Sequence, residues 1–255
     1  MYTKCTVKEN KLFSNGFGRI MFDAGEIAKA STPGQFVMVK CWQGNVPFLP
    51  RPFSINNADR QNGSLEILYK IVGKGSKLLS ELSTGDSAMI HGPLGNGFVI
   101  PEDAGRIAVV GRGVGAAPML YLAAEAIRKS VEVYAFLSAS REDLIFDKDK
   151  YTKLGAKVFS TCDNNVLVTD YLVEQLQDKK FDAVYTCGSK RLMREIKRLK
   201  DIHGFDAYVS LEEHMACGIG ACKGCICTTY KDDGSTQYER VCKEGPVFPV
   251  ERLVK

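Results

Sequence analysis

A change of rhythm near residue 100 restricts this chain more than any other feature of its sequence. Before it, short alternating or β-branched runs recur: FGRIMFDA, GQFVMVKCW, SLEILYKIV and DSAMIHG. The turn signals Pro33-Gly34, Asn62-Gly63 and Thr84-Gly85-Asp86 separate them. Short strands at this spacing predict an antiparallel β-barrel or sandwich. One short helix is expected to begin around Gly73-Lys74-Gly75-Ser76, carrying Leu78, Leu79 and Leu82 on one face. After the glycine- and proline-rich passage GPLGNGFVIPEDAG, the runs RIAVVG, VEVYAFLS, AKVFSTC, DAVYTCG and DAYVSL alternate with the helical patterns AAPMLYLAAEAIRK, TDYLVEQLQ and KRLMREIKRLK. Strand–helix alternation predicts a parallel α/β sheet. From about Leu211 the chain is cysteine-rich and too short for a large core of its own, so it must be held by a metal centre or by docking. The expected division is therefore 1–100 (β-barrel), 101–210 (α/β) and 211–255 (cysteine-rich).

The length of 255 residues accommodates this multi-domain plan, and 45% hydrophobic with 25% charged residues is the composition of a soluble globular protein. A net charge of +4, without a lysine–arginine block, speaks against nucleic-acid binding. No apolar run approaches the roughly 18 residues of a spanning helix, and MYTKCTVKEN carries no apolar secretory core. Nine cysteines, an odd number and bunched, fit a reducing cytoplasm and thiols used as ligands better than disulfides.

The bunch itself is HMACGIGACKGCICTTY, followed by RVCKEG. Cys217, Cys222 and Cys225 stand at C-x4-C-x2-C, with Cys242 as a distant fourth thiolate, the plant-type [2Fe–2S] spacing. Gly218, Gly220 and Gly224 let backbone N–H groups approach the sulfurs. Zinc sites favour paired C-x2-C knuckles, and only one such pair is aligned here; a dithiol redox motif needs two cysteines rather than four. Cys227 competes with Cys225 for the third position, and the spacing favours Cys225. Cys5, Cys41 and Cys162 are isolated and read as core residues.

GRGVGAAPML follows the strand RIAVV directly and opens a helix. Gly111, Gly113 and Ala116 match G-x-G-x-x-A, with Gly115 between them, where a dinucleotide fold needs close backbone approach to a pyrophosphate. A merely tight βα turn is the alternative. Beyond the next strand, Glu142 or Asp143 would suit the ribose of NAD, whereas Ser140 and Arg141 would suit the extra phosphate of NADP. Cys187, in TCGSKRLM, ends another strand and is placed either to touch a bound ring or to fill the core.

In LPRPFSINNA, Arg51 and Phe53 are expected to face one way, Pro52 and Ser54 the other. An arginine grips phosphate, an aromatic ring stacks on a flat heterocycle, and a hydroxyl bonds a ring nitrogen; an ordinary edge strand reads equally well. RPFS, LYKIVGKGS, GPLGNGF, the G-x-G-x-G-A-A-P-M loop and CGS, in this order, resemble the ferredoxin–NADP reductase family. That resemblance implies FAD contacts from Arg51, Pro52, Phe53, Ser54, Leu68, Tyr69, Lys70, Gly75 and Ser76, with Ser54 near the flavin N5; Ser54 and, from its strand-end position, Cys187 are the candidate catalytic residues. Ser189 stands where that family usually has proline, and the terminal ERLVK lacks its shielding aromatic residue.

The cysteine motif followed by RVCKEGPVF is similar to the electron-transfer subunits of class 1B, NAD-linked dihydroorotate dehydrogenases of pyrimidine synthesis. In that family the cluster segment also comes last. The resemblance implies a cytoplasmic heterotetramer, two of each chain, with an FMN-containing catalytic subunit that oxidises dihydroorotate. Electrons would pass through [2Fe–2S] and FAD to NAD+. A reductase of the same architecture serving a hydrogenase, ferredoxin or oxygenase partner is the other reading.

Overall fold

The computed structural model describes residues 1–13, 15–162 and 166–254; Lys255 of the ERLVK terminus lies outside them. Seven antiparallel strands form the first unit: β1 (Thr3–Leu12), β2 (Phe17–Asp23), β3 (Phe36–Lys40), β4 (Arg51–Ser54), β5 (Asn57–Asp59), β6 (Ser64–Lys70) and β7 (Ser87–Leu94). Their order is β4-β3-β7-β1-β2-β6-β5, and the sheet curls until β4 meets β6. Inside lie Val7, Ile20, Phe22, Val37, Ile67 and Ile90, all buried, at the alternate positions a half-buried strand provides. Helix α1 (Gly25–Ala30) was not legible in the sequence, because six residues hold too little periodicity. Helix α2 (Lys74–Ser80) starts one residue after Gly73, so Gly75 and Ser76 belong to its first turn.

The second sheet is formed by β8 (Arg106–Arg112), β9 (Glu132–Ser138), β10 (Lys157–Thr161), β11 (Ala183–Cys187) and β12 (Asp206–Ser210), all parallel, in the order β10-β9-β8-β11-β12. Helices α3 (Ala117–Arg128) and α4 (Lys148–Leu154) cover one face, α5 (Val168–Asp178) and α6 (Lys190–His203) the other. Coverage of both faces explains why these strands read as continuous apolar runs. Helix α6 shows the amphipathic logic plainly: Leu192, Met193, Ile196 and Leu199 are buried, Ser189 Oγ accepts the Leu192 N–H at 3.3 Å, and Gly204 closes the helix at φ 77°. Helix α4 escaped the sequence reading; seven residues with one buried side chain, Tyr151, leave hardly any pattern.

The two units meet across a charged seam. Asp147, its side chain 4% exposed, pairs with Arg19 of β2 and lies 3.5 Å from Lys150 of α4, while Glu66 of β6 takes Lys150 at 2.7 Å and Arg19 at 3.5 Å. Asn56 Nδ2 ties the same carboxylate (3.3 Å) to the Ala117 carbonyl (2.8 Å) at the start of α3.

The last stretch has little core of its own, as expected. It folds β13 (Ile226–Tyr230) and β14 (Thr236–Arg240) into a two-stranded ribbon, and then lays β15 (Val247–Pro249) antiparallel along β12. Phe248 enters the core on the α5–α6 side, and Val247 packs against the opposite face. The α/β sheet is thus closed by a strand from the cysteine-rich segment, which sequence alternation at 101–210 did not foresee.

Candidate functional site

A cavity of about 540 Å3, within the size range of ligand sites, opens between the barrel and the segment 210–215 that leaves β12. Barrel residues Pro52, Phe53 and Ser54 of β4 and Leu68, Tyr69 and Lys70 of β6 line it. Pro52 and Ser54 were expected to face away from Phe53. All three residues contribute to the cavity lining. The Phe53 and Tyr69 rings meet edge-on at 6.2 Å, and the Tyr69 hydroxyl donates to Asn10 Oδ1 at 3.0 Å. A cavity lined by Phe53, Leu68 and Tyr69 beside Ser54 and Lys70 fits an isoalloxazine ring.

Arg51 stands beside that lining rather than in it. Its guanidinium lies 5.9 Å from the Trp42 ring and donates to the Leu49 carbonyl at 2.6 Å. A Cβ at position 75 would fall 2.9 Å from Arg51 Cγ, so Gly75 lets α2 press against this arginine. The Ser76 hydroxyl is engaged locally, accepting the Val72 and Gly73 N–H groups at 2.9 and 3.2 Å.

A second cavity, about 550 Å3, lies at the carboxyl ends of the parallel strands, lined by Arg112 at the end of β8, Ser138 of β9, Thr161 of β10 and Ser189 after β11. This is where open α/β sheets bind ligands. Gly111, Gly113 and Gly115 are outside the lining, but they build the turn that shapes it. A Cβ at Gly111 would come within 2.5 Å of Ala116 Cβ, one at Gly115 within 3.0 Å of Gly188 Cα, and Gly113 sits at φ 57°. Arg191, Arg194 and Arg198 join Arg112 along the wall, a setting for phosphate groups. Ser140, Arg141, Glu142 and Asp143 follow the lining residues Ser138 and Ala139 without joining them; Arg141 pairs with Asp143 at 2.6 Å and Glu142 with Lys148 at 3.3 Å. The sequence did not single out the α6 arginines, because the period in that helix marks its buried residues Leu192, Met193, Ile196 and Leu199.

Cys187, 1% exposed, ends β11 beside Gly111 of β8 and Ser210 of β12. Burial pushes its thiol well above the usual range, with the neighbouring Glu212 adding to the effect. Its sulfur lies 4.0 Å from Glu212 Oε1, and Glu212, not Cys187, reaches the flavin-sized cavity. Glu212 opens to water there but is otherwise ringed by protein, and this desolvation raises its carboxyl. Sequence reasoning passed it over, because a glutamate in a loop carries no pattern.

Beyond 215 the chain turns into the cysteine loop. Gly218 is pressed against the barrel, where a Cβ would meet Met38 Cγ at 2.6 Å, and Met38 of β3 pairs with Pro52 of β4. Backbone N–H groups link the cysteines two by two, Cys222 to the Cys217 sulfur and Cys242 to the Cys225 sulfur (each 3.4 Å). Two more are aimed at the sulfurs, Gly220 at Cys242 Sγ (3.1 Å) and Gly224 at Cys222 Sγ (3.4 Å). Burial raises the Cys217 thiol, but the N–H groups of Cys222, Ile219 and Ala221 outweigh it and bring it down to about 6. Among the described residues no group of three or more His, Cys, Asp or Glu is placed to hold a single ion. Four thiols gathered by one loop and the turn after β14 are the donor set that would hold a two-iron cluster. Cys227 sits on β13 opposite Glu239, where burial, then Glu239 and Glu213, push its thiol up to about 11.

Comparison with known proteins bears on each part. Residues 4–98 match the oxidoreductase FAD-binding domain, and residues 212–254 the iron–sulfur cluster binding domain of dihydroorotate dehydrogenase B. The dihydroorotate dehydrogenase B (NAD(+)) electron transfer subunit of Desulforamulus reducens is 36% identical over 238 residues, 91% of this chain and 90% of that one. Its Bacillus cereus counterpart is 37% identical over 89% of both chains. A solved NADH-dependent reduced ferredoxin–NADP oxidoreductase, described for flavin-based electron bifurcation, superposes with a TM-score of 0.85 at 25% identity, covering 98% of this chain and 89% of that one. A ferredoxin–NADP+ reductase from Neisseria gonorrhoeae, with bound FAD and NADP, superposes at 0.64 with 19% identity over 80% of this chain and 92% of its own. Fold and site together define a flavin- and iron–sulfur-dependent NAD(P)-linked oxidoreductase of the ferredoxin reductase type. Within that class, the chain belongs to the family of dihydroorotate dehydrogenase B electron transfer subunits.

Proposed function

We propose that this chain links a dihydroorotate-oxidising partner subunit to NAD+, in a cytoplasmic heterotetramer of two copies of each. The observation that carries the reading is adjacency. The cysteine loop packs through Gly218 onto Met38, and Met38 is paired with Pro52 of the flavin-sized cavity. One-electron and hydride sites therefore share a wall. When bound, FAD supplies the interchange between single electrons and hydride pairs, which neither the cluster nor NAD offers.

The chain's own residues do the positioning. Phe53, Tyr69 and Leu68 hold a flat ring, Lys70 and Ser54 offer polar contacts, and Arg51 with the first turn of α2 lies on the phosphate side. Ser54 is assigned to the reacting face, and Cys187 to a place behind it, with Glu212 between Cys187 and the cavity as the group able to hold a proton there. Gly111, Gly113, Gly115 and the arginine wall receive the dinucleotide, and Cys217, Cys222, Cys225 and Cys242 hold the cluster. Units 1–100, 101–210 and 211–255 carry these three tasks. Among the described residues no helix is long and apolar enough to cross a membrane.

The test is co-purification with the dihydroorotate-oxidising subunit, followed by anaerobic NAD+ reduction dependent on dihydroorotate. The complex should reduce NAD+, and the isolated chain should not touch dihydroorotate. Oxidation of dihydroorotate by the chain alone would refute the division of labour. The likeness to the reduced ferredoxin–NADP oxidoreductase supports a second reading, a different one-electron partner, and reduced ferredoxin in place of dihydroorotate is the discriminating donor.

A further inference from the structure

Arg240 lies at the end of β14 and lines neither cavity, yet its guanidinium is fixed at three points beside the cysteine loop. Nη1 donates to the Gly220 carbonyl at 3.0 Å, Nε to Glu244 Oε2 at 2.9 Å, and Nη2 to Glu244 Oε1. Glu244 Oε2 also accepts the Arg240 backbone N–H at 2.7 Å, and the Arg240 carbonyl takes the N–H groups of Lys243 and Glu244 at 3.0 and 2.9 Å. The turn carrying Cys242 is thereby closed on itself. Gly220 is the residue whose N–H points at Cys242 Sγ, 3.1 Å away. It has φ 81°, and a Cβ there would meet Lys243 Cδ at 2.8 Å. The forked side chain thus joins the two halves of the cysteine site, pinning from behind the residue that donates to a sulfur in front.

We infer that Arg240, opposed by Glu244, is a positioning residue that sets the reduction potential of the cluster held by this loop. The inference rests on the reading of Cys217, Cys222, Cys225 and Cys242 as its ligands. Two physical effects are involved. A directed N–H···S bond stabilises the more negative, reduced cluster, and it keeps its geometry only while Gly220 is held. A fixed cation also favours added negative charge, and a fixed anion opposes it. The pair is about a quarter exposed (28% and 27%), so solvent weakens the charge effect without erasing it.

A role confined to holding the turn and a role in setting the potential predict different things for opposite halves of the pair. With the full chain in its complex, the EPR signal of the reduced cluster is titrated against potential for wild type, Arg240→Gln, Arg240→Lys and Glu244→Gln, and iron content is measured for each. The expected result is a lower midpoint in Arg240→Gln, a higher one in Glu244→Gln, and a midpoint closer to wild type in Arg240→Lys. Should Arg240→Gln lose its iron, the upward shift in Glu244→Gln and the recovery in Arg240→Lys still carry the inference. Midpoints unmoved, or moved the same way by both neutral variants, overturn it. A wild-type chain with no two-iron signal overturns the ligand reading and this inference with it. An intact wild-type signal with unmoved variants overturns this inference alone.

Discussion

Phe248→Ala tests whether the cysteine-rich segment depends on the α/β sheet for its order. Phe248 is 1% exposed and pairs with Val209 across β15 and β12, and its ring closes over Gly245, where a Cβ would fall 2.3 Å away. Backbone on one side and the α5–α6 core on the other leave little room for collapse. The loss should therefore reach the usual Phe→Ala range, about 4 kcal/mol. If the segment opens locally, that corresponds to about a thousandfold higher open population. Hydrogen exchange of β15 and of the Leu211 N–H, which donates to the Pro246 carbonyl at 2.9 Å, reads this directly, and visible absorption reports the cluster. Exchange in β1 and β2 of the barrel should stay at the wild-type rate. Phe248→Leu, which retains most of the volume, should cost under about 1.5 kcal/mol. A loss below about 1 kcal/mol for Phe248→Ala, with protection of β15 unchanged, would show that the segment stands without its docked strand.

Further outcomes follow from the same geometry. Cys225→Ser should abolish the visible absorption of the cluster and Cys227→Ser should keep it; the reverse would move the third ligand. Glu212→Gln should slow hydride exchange between NADH and the flavin by about tenfold or more in stopped flow, with FAD content unchanged. Because desolvation raises the Glu212 carboxyl in the folded chain, that group favours folding at low pH and loses this contribution as pH rises from the ordinary carboxylate range toward its raised value. The glutamine variant should lack that decline in denaturant midpoint, and an identical pH profile would refute the assignment. Asp147→Asn should cost about 1–2 kcal/mol in denaturant unfolding, since it leaves Arg19 and Lys150 with Glu66 as their one remaining carboxylate at a partly buried seam, whereas Lys150→Met should cost under about 1 kcal/mol. Equal costs for the two would place the seam's strength elsewhere.

The sequence alone determined the succession of a β-unit, an α/β unit and a cysteine segment, because burial on one face or two leaves a period that neighbouring residues record. It also carried the C-x4-C-x2-C…C spacing, the glycine turn after β8 and the RPFS strand, since each is built from adjacent positions. Short helices such as α1 and α4 left too little pattern to be read. Only the tertiary structure brought Glu212 within 4.0 Å of Cys187, set β15 beside β12, laid Gly218 on Met38, and placed Arg240 behind Gly220. These are contacts between residues far apart in the chain, or in loops without a repeat, and no local period encodes them. They arise when packed layers bring distant backbones to van der Waals distance.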